Sequence, residues 1–214
     1  MSSPDCDPVP VAVIGAGNMG ANHIRVYDEL PEADLVEVVE PDSETAANIR
    51  EEYDVRVLDD VGDIERARAA TIAVPNELHV PVAHQCIAEL DLDILIEKPL
   101  ANTVEEAQEI VDLAVDHNAI LQVGHIERYN PAVETLAEVI QQQDLIGLEA
   151  HRLGPFNEHL ADENVVFDLM IHDIDIITAL AGGSISQLNA IGTTDRSDHC
   201  DHAVAQFGFD NGTV

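Results

Sequence analysis

The segment Val9-Pro10-Val11-Ala12-Val13-Ile14-Gly15-Ala16-Gly17-Asn18-Met19-Gly20 decides the fold of this 214-residue sequence. Its apolar first half is typical of a buried strand. Its second half is the pattern G-x-G-x-x-G, which leads into helical spacing from Asn18 to Leu30. Glycines in this arrangement permit a tight turn and let the backbone approach a pyrophosphate, which the helix N-terminus attracts. The segment therefore predicts a strand-turn-helix unit that binds a dinucleotide.

An acidic residue at the end of the second expected strand supports this interpretation. Glu40 follows Gly20 by twenty residues, at the position that binds the adenosine ribose hydroxyls in NAD-binding domains. Its charge would repel a 2′-phosphate, so the sequence favours NAD over NADP as the cofactor. The predicted cofactor contacts of this region are Gly15, Gly17, Asn18, Met19, Gly20 and Glu40.

Strand-like and helix-like segments alternate from this turn as far as Val123. The expected strands are 9–14, 35–39, 55–58, 70–74, 93–96 and 119–123. The expected helices are 18–30, 43–53 with Ser43 as N-cap, 78–90, and one that runs to about 117 from a Thr103–Glu106 capping box. This alternation predicts an α/β fold, with a Rossmann doubly wound parallel sheet over residues 1–123 as the NAD-binding domain.

The pattern changes after Gly124. The expected elements are a helix from the Asn130-Pro131 cap through 143, a strand over 145–153, a long helix over 165–181 ended by Gly182-Gly183, and strands over 185–191 and 203–209. They predict an α+β domain over residues 124–214, with a largely antiparallel open sheet, for substrate binding and oligomerisation. The sequence ends on a hairpin signal, Asn211-Gly212, with no returning strand, so we expect this domain to be incomplete and the chain truncated.

The charge balance excludes several classes of partner. Forty-two Asp and Glu residues face nine Lys and Arg residues, which gives a formal net charge of -33. Such a surface repels nucleic acids and anionic membranes, and the scatter of its acids is typical of a halophilic protein from a salt-rich cytoplasm. The distant Cys6, Cys86 and Cys200 indicate neither a disulfide framework nor a zinc ribbon. Because no long apolar run and no signal-peptide pattern occur, we expect a cytoplasmic protein.

The single lysine of the sequence stands at a chemically informative place. Lys98 lies in Glu97-Lys98-Pro99, directly after the apolar run Ile94–Ile96. The composition otherwise avoids lysine, whose pKa shifts readily on burial, so the position indicates proton transfer or charge stabilisation. Ligands of doubly wound sheets bind at the carboxyl ends of the strands, where Lys98 and the residues after the fourth strand would meet the cofactor. Those residues are Pro75, Asn76 and His79, for which an ordinary helix cap and a surface histidine are the alternative.

A second candidate group lies on the long helix. Asp168 and His172 are four residues apart and share a helix face, so the carboxylate can orient the imidazole and raise its basicity, as a general base requires. A metal site on His172, Asp173 and Asp175 is the alternative. We predict no metal, because no further ligand at diagnostic spacing accompanies them. The run His199-Cys200-Asp201-His202 is interpreted as the solvated start of a strand.

Taken in order, these motifs resemble one enzyme family. The motifs are the glycine-rich turn, 71–76 with His79, Glu97-Lys98-Pro99, and Asp168-x-x-x-His172-Asp173. They are similar, over the whole chain, to those of the glucose-fructose oxidoreductase, inositol dehydrogenase and MocA (Gfo/Idh/MocA) family of NAD(P)-dependent sugar oxidoreductases. The resemblance implies a Rossmann domain followed by an α+β domain whose open sheet often forms the oligomer interface. It also implies Lys98, Asp168 and His172 as the catalytic group, and Glu97 and Lys98 among the cofactor contacts.

A narrower resemblance concerns the substrate. The segments 123–131, 152–156 and 168–175 are similar to the branch that oxidises the 3-hydroxyl of UDP-N-acetylglucosamine or its uronate. The resemblance implies a substrate site lined by His125, Arg128, Tyr129, Asn130, Arg152 and His172. One departure is visible, because this branch usually carries an arginine where this chain reads Asn157-Glu158-His159-Leu160. An inositol or a free sugar therefore stays open as the substrate.

The expected reaction is hydride transfer from a sugar carbinol carbon to NAD, while a side chain removes the hydroxyl proton. His172 is the expected general base, Asp168 orients it, and Lys98 stabilises the developing alkoxide, although Lys98 and His172 could exchange roles. A non-catalytic, regulatory NAD-binding protein is the alternative, against which the intact catalytic group argues. We expect a homo-oligomer, a dimer or tetramer, assembled through the C-terminal sheet.

The charge generates a prediction about stability. Raising KCl from dilute buffer to the molar range should raise the melting temperature, because molar salt screens repulsion among surface acids to within about 3 Å. Thermal melts followed by circular dichroism at several KCl concentrations measure this. A melting temperature that stays constant across the series would contradict the halophilic interpretation.

Overall fold

The computed structural model describes residues 7–141, 143, 145–155 and 164–214, and the chain divides into two compact units, Met1–Gly124 and His125–Val214. In these ranges no helix is long and apolar enough to cross a membrane. Cys6 and the run Asn157-Glu158-His159-Leu160, where the chain departs from the expected branch pattern, lie outside the described residues.

The first unit is built on a six-stranded parallel sheet. Its strands are β1 (Val9–Ile14), β2 (Ala33–Val39), β3 (Arg56–Leu58), β4 (Ala69–Ile72), β5 (Asp93–Ile96) and β6 (Leu121–Val123). They lie in the order β3-β2-β1-β4-β5-β6, and all neighbouring pairs are parallel. The predicted doubly wound sheet is thus confirmed. Its strand order reverses between β1 and β4, which leaves a crevice at the carboxyl ends of the strands.

Helices cover both faces of this sheet. They are α1 (Asn18–Glu29), α2 (Ser43–Glu52), α3 (His79–His84) and α4 (Val104–His117). Successive side chains of β1 point to opposite faces, as the pleat of a strand requires. Val13 packs with Ile24 of α1 and Ile49 of α2. The neighbouring Ile14 belongs to the other core, together with Ile110 of α4.

The helix ends follow the capping rules, with one correction. Thr103 and Glu106 form the predicted capping box: the Thr103 hydroxyl accepts the Glu106 N–H at 3.2 Å, and the Glu106 carboxylate accepts the Thr103 N–H at 3.1 Å. The N-cap of α2 is Asp42, so the prediction of Ser43 was wrong. The Asp42 carboxylate accepts the N–H of Thr45 at 2.8 Å, and Ser43 already belongs to the helix. That hydrogen bond lowers the pKa of Asp42.

The helix predicted over 78–90 has three parts. A 3-10 turn, Asn76–Leu78, leads into α3, and a π-helix, Gln85–Glu89, continues it. The π-helix holds Cys86, which is fully buried. Burial raises the pKa of the Cys86 thiol to about 12, so the thiol stays protonated at neutral pH. Cys86 and Cys200 are both free cysteines.

One carboxylate lies wholly inside the first unit, and the sequence pattern did not predict it. Glu37 of β2 is fully buried and pairs with Nη1 of Arg56 at 2.9 Å. Its carboxylate also accepts the backbone N–H groups of Glu65, Arg66 and Ala67. A buried charge needs such partners, because an uncompensated one is strongly destabilising. Glu37 therefore holds the loop that leads into β4 against β2.

The second unit contains helices and an antiparallel hairpin. Its elements are a 3-10 turn (Ile126–Tyr129), α5 (Pro131–Ile140), a π-helix (Val166–Met170) that runs into α6 (Ile171–Ala181), β7 (Ile185–Thr193) and β8 (His202–Phe209). β7 and β8 are antiparallel, as predicted for this domain. Gly182 ends α6 in the left-handed conformation that favours glycine, with φ 68°.

The expected strand over 145–153 is wrong. The described residues of this segment lie outside any strand, although Leu148 N–H donates to the carbonyl of Val214 and Val214 N–H donates to the carbonyl of Ile146. Alternating side chains predict a strand only where a neighbour supplies a ladder, and here the backbone pairing is limited to Val214. In addition, α5 ends at Ile140 and not at residue 143.

Candidate cofactor and catalytic site

The glycine-rich turn is closed against the segment that follows β4. Gly15 has φ +85°, and a Cβ there would lie 2.7 Å from the carbonyl oxygen of Ala73. A Cβ on Gly20 would overlap the carbonyl oxygen of Gly15. The first turn of α1 can therefore pack against the glycine-rich turn only because residue 20 is glycine. Around Gly17, in contrast, a Cβ would meet nothing within 4 Å. The turn is therefore tight on its protein side and open on its outer side.

Glu40 lies at the mouth of this turn. One of its carboxylate oxygens accepts the N–H of Ala16 at 2.9 Å, and the other accepts the N–H of Asp42 at 2.9 Å. Asn18 and Met19 are exposed in the first turn of α1, whose N-terminus has no side-chain cap among the described residues. The free amide groups and the nearby carboxylate fit a dinucleotide, with phosphates at the helix end and ribose hydroxyls at Glu40.

The residues after β4 divide into two groups. Pro75 is exposed and Asn76 is half-buried, so both can reach a ligand in the crevice. His79 is fully buried, which contradicts the alternative of a surface histidine. Its Nδ1 lies 2.9 Å from the carbonyl oxygen of Pro99, and its Nε2 lies 3.1 Å from that of Val74. The predicted cofactor contact of His79 stays a prediction, and the ring itself ties two loops together.

Glu97 is also engaged inside the first unit. Its side chain is buried, with one carboxylate oxygen 2.7 Å from Nε2 of His23 and the other accepting the N–H of Lys98 at 3.3 Å. Lys98 is half-buried, and its peptide bond to Pro99 is cis. His23 was missed by sequence reasoning. The available signal was weak: His23 and Tyr27 are four residues apart on α1, and their rings stack at 6.1 Å.

Asp168 and His172 lie at the junction of two helix types. Asp168 belongs to the π-helix, and His172 lies in the first turn of α6. Both side chains are half-buried. A π-helix has more residues per turn than an α-helix, so the spacing of four no longer fixes a shared face. Their mutual orientation stays a prediction. Single π-turns inside helices are frequent at functional sites.

Both predicted substrate arginines bind carboxylates of α6. Arg128 holds Asp175 through Nε at 2.7 Å and Nη2 at 2.6 Å, and His125 Nε2 lies 3.8 Å from the same carboxylate. Arg152 holds Asp173 through Nε at 3.2 Å and Nη2 at 3.0 Å. These hydrogen bonds raise the pKa of each arginine. Both aspartates follow His172 on α6, and the two pairs attach α6 to the segments around Arg128 and Arg152.

Glu127 joins this charged group, although sequence reasoning missed it. It accepts from Nδ2 of Asn130 at 3.0 Å and lies 3.4 Å from Nη1 of Arg152. The Asn130 hydrogen bond is the main cause that lowers the pKa of Glu127; burial opposes it, and Arg152 and then His172 lower the pKa further. Asn130 has a second role as the N-cap of α5, because its Oδ1 accepts the N–H of Ala132 at 3.0 Å. Tyr129 is exposed beside it.

The residues considered as metal ligands have other partners. Asp173 and Asp175 are bound by arginines, and among the described residues no group of three His, Cys, Asp or Glu side chains could hold a metal. In the run 199–202, Asp201 accepts the backbone N–H groups of Asp195, Arg196 and Ser197. The Arg196 N–H is the main cause that lowers the pKa of Asp201. Asp201 therefore closes the turn before β8.

A comparison with protein families decides the family. Residues 9–125, more than half of the chain, match the Gfo/Idh/MocA model, described as an oxidoreductase family with an NAD-binding Rossmann fold. The chain belongs to the Gfo/Idh/MocA oxidoreductase family. The match includes the glycine-rich turn, Glu40 and Lys98, so the prediction of an NAD-binding Rossmann domain is confirmed.

Relatives and solved structures agree with this membership. UDP-N-acetylglucosamine 3-dehydrogenase of Acidithiobacillus ferrooxidans is 32% identical, over 94% of this chain and 64% of its own length. A crystal structure of that enzyme has a TM-score of 0.88 at 31% identity and covers 95% of this chain and 66% of its own. Inositol 2-dehydrogenase of Rubrobacter xylanophilus is 30% identical over 80% of this chain and 52% of its own length. The chain thus spans between half and two thirds of these relatives.

The Asn130 contacts generate a prediction. Asn130→Ala should lower the free energy of unfolding by about 1 kcal/mol, because α5 loses its cap. Asn130→Asp is the matched control: it keeps a capping oxygen and replaces the donor to Glu127 with a second carboxylate. Urea unfolding measures stability, and a carboxyl NMR titration measures the pKa of Glu127.

Both variants should raise the pKa of Glu127. In the native protein the lowered pKa contributes stability at neutral pH, and this is lost as pH falls through the folded-state pKa. Equal stability of Asn130→Ala and the wild type would contradict the capping role.

Proposed function

We propose that the protein is an NAD-dependent dehydrogenase that oxidises a secondary hydroxyl group of a sugar, with a UDP-linked N-acetylglucosamine or a close relative as the preferred substrate. One observation carries the proposal. Lys98 follows β5 at the same edge of the sheet as the glycine-rich turn after β1 and Glu40 after β2. A cation at the carboxyl end of β5 thereby shares the crevice side of the sheet with the residues that fit the dinucleotide.

The chain's own residues account for binding and proton handling. The amide groups at the start of α1 would hold the pyrophosphate, and Glu40 would accept the ribose hydroxyls. When bound, NAD supplies the ring carbon that accepts a hydride. The Lys98 ammonium would stabilise negative charge on the substrate oxygen, while His172 would take the hydroxyl proton and Asp168 would orient it. Exchange of the roles of Lys98 and His172 remains compatible with this scheme.

Sequence similarity favours the nucleotide sugar. The relative that is 32% identical over 94% of this chain is a UDP-N-acetylglucosamine 3-dehydrogenase, and segments 123–131 and 168–175 resemble that branch.

One observation favours a polyol or free sugar as a second candidate substrate. Arg128 and Arg152 each use Nε and Nη2 on an aspartate, so neither offers its bidentate fork to a diphosphate. Nη1 of Arg128 is the group that would reach a phosphate.

The wider setting is part of the proposal. A cytoplasm rich in salt would suit the net charge of -33. Residues of β7 are exposed along the whole strand, and Leu188 and Ile191 of β7 are 61% and 72% exposed. Large apolar side chains exposed on a strand support assembly of a homo-oligomer through the sheet.

Cofactor choice gives the first test of the proposal. Glu40→Ala should weaken NAD binding by about tenfold to a hundredfold, because charge-assisted hydrogen bonds to ribose hydroxyls are lost. The same change should narrow the preference for NAD over NADP. Calorimetric titration of both cofactors in molar KCl measures this. Glu44→Ala, an exposed acid on the neighbouring helix turn, is the control. Tighter binding of NADP than of NAD by the wild type would contradict the assignment.

Lys98 and the substrate give the second test. Lys98→Met should leave NAD affinity nearly unchanged and lower single-turnover NADH formation by about 10²–10³-fold, the cost of losing one electrostatic stabiliser. The assay compares UDP-N-acetylglucosamine, myo-inositol and glucose in molar KCl. Faster oxidation of inositol or glucose than of any UDP-sugar would reject the nucleotide sugar as the preferred substrate. It would not contradict the proposed dehydrogenase activity. Wild-type turnover by Lys98→Met would reject the catalytic role of Lys98.

A further inference from the structure

The turn that carries Lys98 is held by two histidines to which the proposed reaction gives no chemical step. His23 comes from α1, the helix that follows the glycine-rich turn, and His79 comes from α3, the helix after Pro75 and Asn76. Each approaches the Lys98 segment from a different element. His23 is largely buried, and His79 is fully buried.

On the amino side of Lys98 the link runs through Glu97. Nε2 of His23 lies 2.7 Å from one carboxylate oxygen of Glu97, and the other oxygen accepts the N–H of Lys98. A Cβ on Gly124 would lie 2.9 Å from that second oxygen, so the carboxylate has little room to turn. His23 is fixed in turn by stacking on Tyr27, whose hydroxyl lies 2.7 Å from that of Thr71 in β4.

On the carboxyl side the link runs through Pro99. Nδ1 of His79 lies 2.9 Å from the Pro99 carbonyl oxygen, and Nε2 lies 3.1 Å from the Val74 carbonyl oxygen. A neutral ring carries one N–H, so it donates to one of these two carbonyls and contacts the other. The ring is fully buried, so its contacts with the two carbonyls are shielded from solvent. His79 therefore spans the loops that follow β4 and β5.

We propose that His23 and His79 are positioning residues for Lys98, one acting through Glu97 and the other through Pro99. The proposal rests on the proposed function, in which Lys98 meets the substrate oxygen. The backbone of Lys98 is held on one side by the helix that begins at the dinucleotide turn and on the other by the loop that contains Pro75 and Asn76. A displacement of about 1 Å at a reacting group can cost about 10²-fold in rate, so such fixation has a kinetic consequence.

The single lysine makes a direct experiment possible. A sample grown with lysine labelled with ¹³C at the ε-carbon gives one side-chain NMR resonance, which reports the surroundings of Lys98 alone. The variants are His23→Asn, Glu97→Gln and His79→Asn, measured in molar KCl with thermal melts and NAD titrations on the same samples. His84→Asn is the matched control, because His84 is exposed at the end of the same helix as His79.

The positioning role predicts a specific set of results. The Lys98 resonance should move by more than its linewidth in each of the three variants and stay in place in His84→Asn. Single-turnover NADH formation should fall by about 10²-fold in each variant, with NAD affinity preserved in His23→Asn, whose residue is not among the expected cofactor contacts. If His79→Asn does not fold, His23→Asn and Glu97→Gln test the same inference from the other side of Lys98.

Two outcomes would overturn the positioning role, and a third would separate it from the proposed function. An unchanged lysine resonance in folded variants rejects positioning, whatever happens to turnover. A loss of NAD affinity with an unchanged resonance assigns the histidines to cofactor binding instead. A resonance that moves while the wild type lacks dehydrogenase activity rejects the proposed function and leaves the structural link to Lys98 intact.

Discussion

Between the end of β1 and the end of β4 the backbone passes so close that a Cβ on Gly15 would lie 2.7 Å from the carbonyl oxygen of Ala73. The first unit depends on this approach. It brings the carboxyl ends of β1 and β4 together at the point where the strand order reverses, and it sets where α1 begins. Because α1 starts there, His23 reaches Glu97 and the free amide groups of the helix face the crevice. The start of α1, the contact between His23 and Glu97, and the amide groups that fit the cofactor therefore all depend on this close approach.

Local sequence patterns were sufficient for the sheet and its helices. Alternation of apolar runs and helical spacing predicted the six parallel strands, and the Thr103–Glu106 box was confirmed because both of its partners lie within four residues. Side-chain contacts between distant residues had no such signal. His23 and Glu97 are 74 residues apart, and Arg128 and Asp175 are 47 apart. No periodicity records such pairs, so residues of the candidate site were predicted singly and their partners were not.

The same limit explains the strand that failed. The pattern of 145–153 describes which side chains could face a core, but a strand also needs a neighbour along its length. The N-cap of α2 was predicted wrongly for a more local reason, since Asp42 and Ser43 are both good capping residues and only the geometry of the turn selects one.

The few cations of the chain are largely engaged by acids: Arg56, Arg128 and Arg152 are each bound to carboxylates inside their own unit. Few positive side chains therefore remain to offset the negative charge of the surface.

Cys86 can report the rate of local opening in the first unit. Its protonated, fully buried thiol lies in the π-helix that continues α3, two turns beyond His79. The thiolate is the form of cysteine that attacks an alkylating reagent, so this sulfur becomes reactive only when the helix opens and water reaches it. The rate at which Cys86 is alkylated in the native protein therefore reports how often α3 and its π-helix open. This is the element whose His79 contacts the loop that follows Lys98. A ligand that binds only the closed form would slow this alkylation, and the slowing grows exponentially with the free energy that the ligand adds to the closed form.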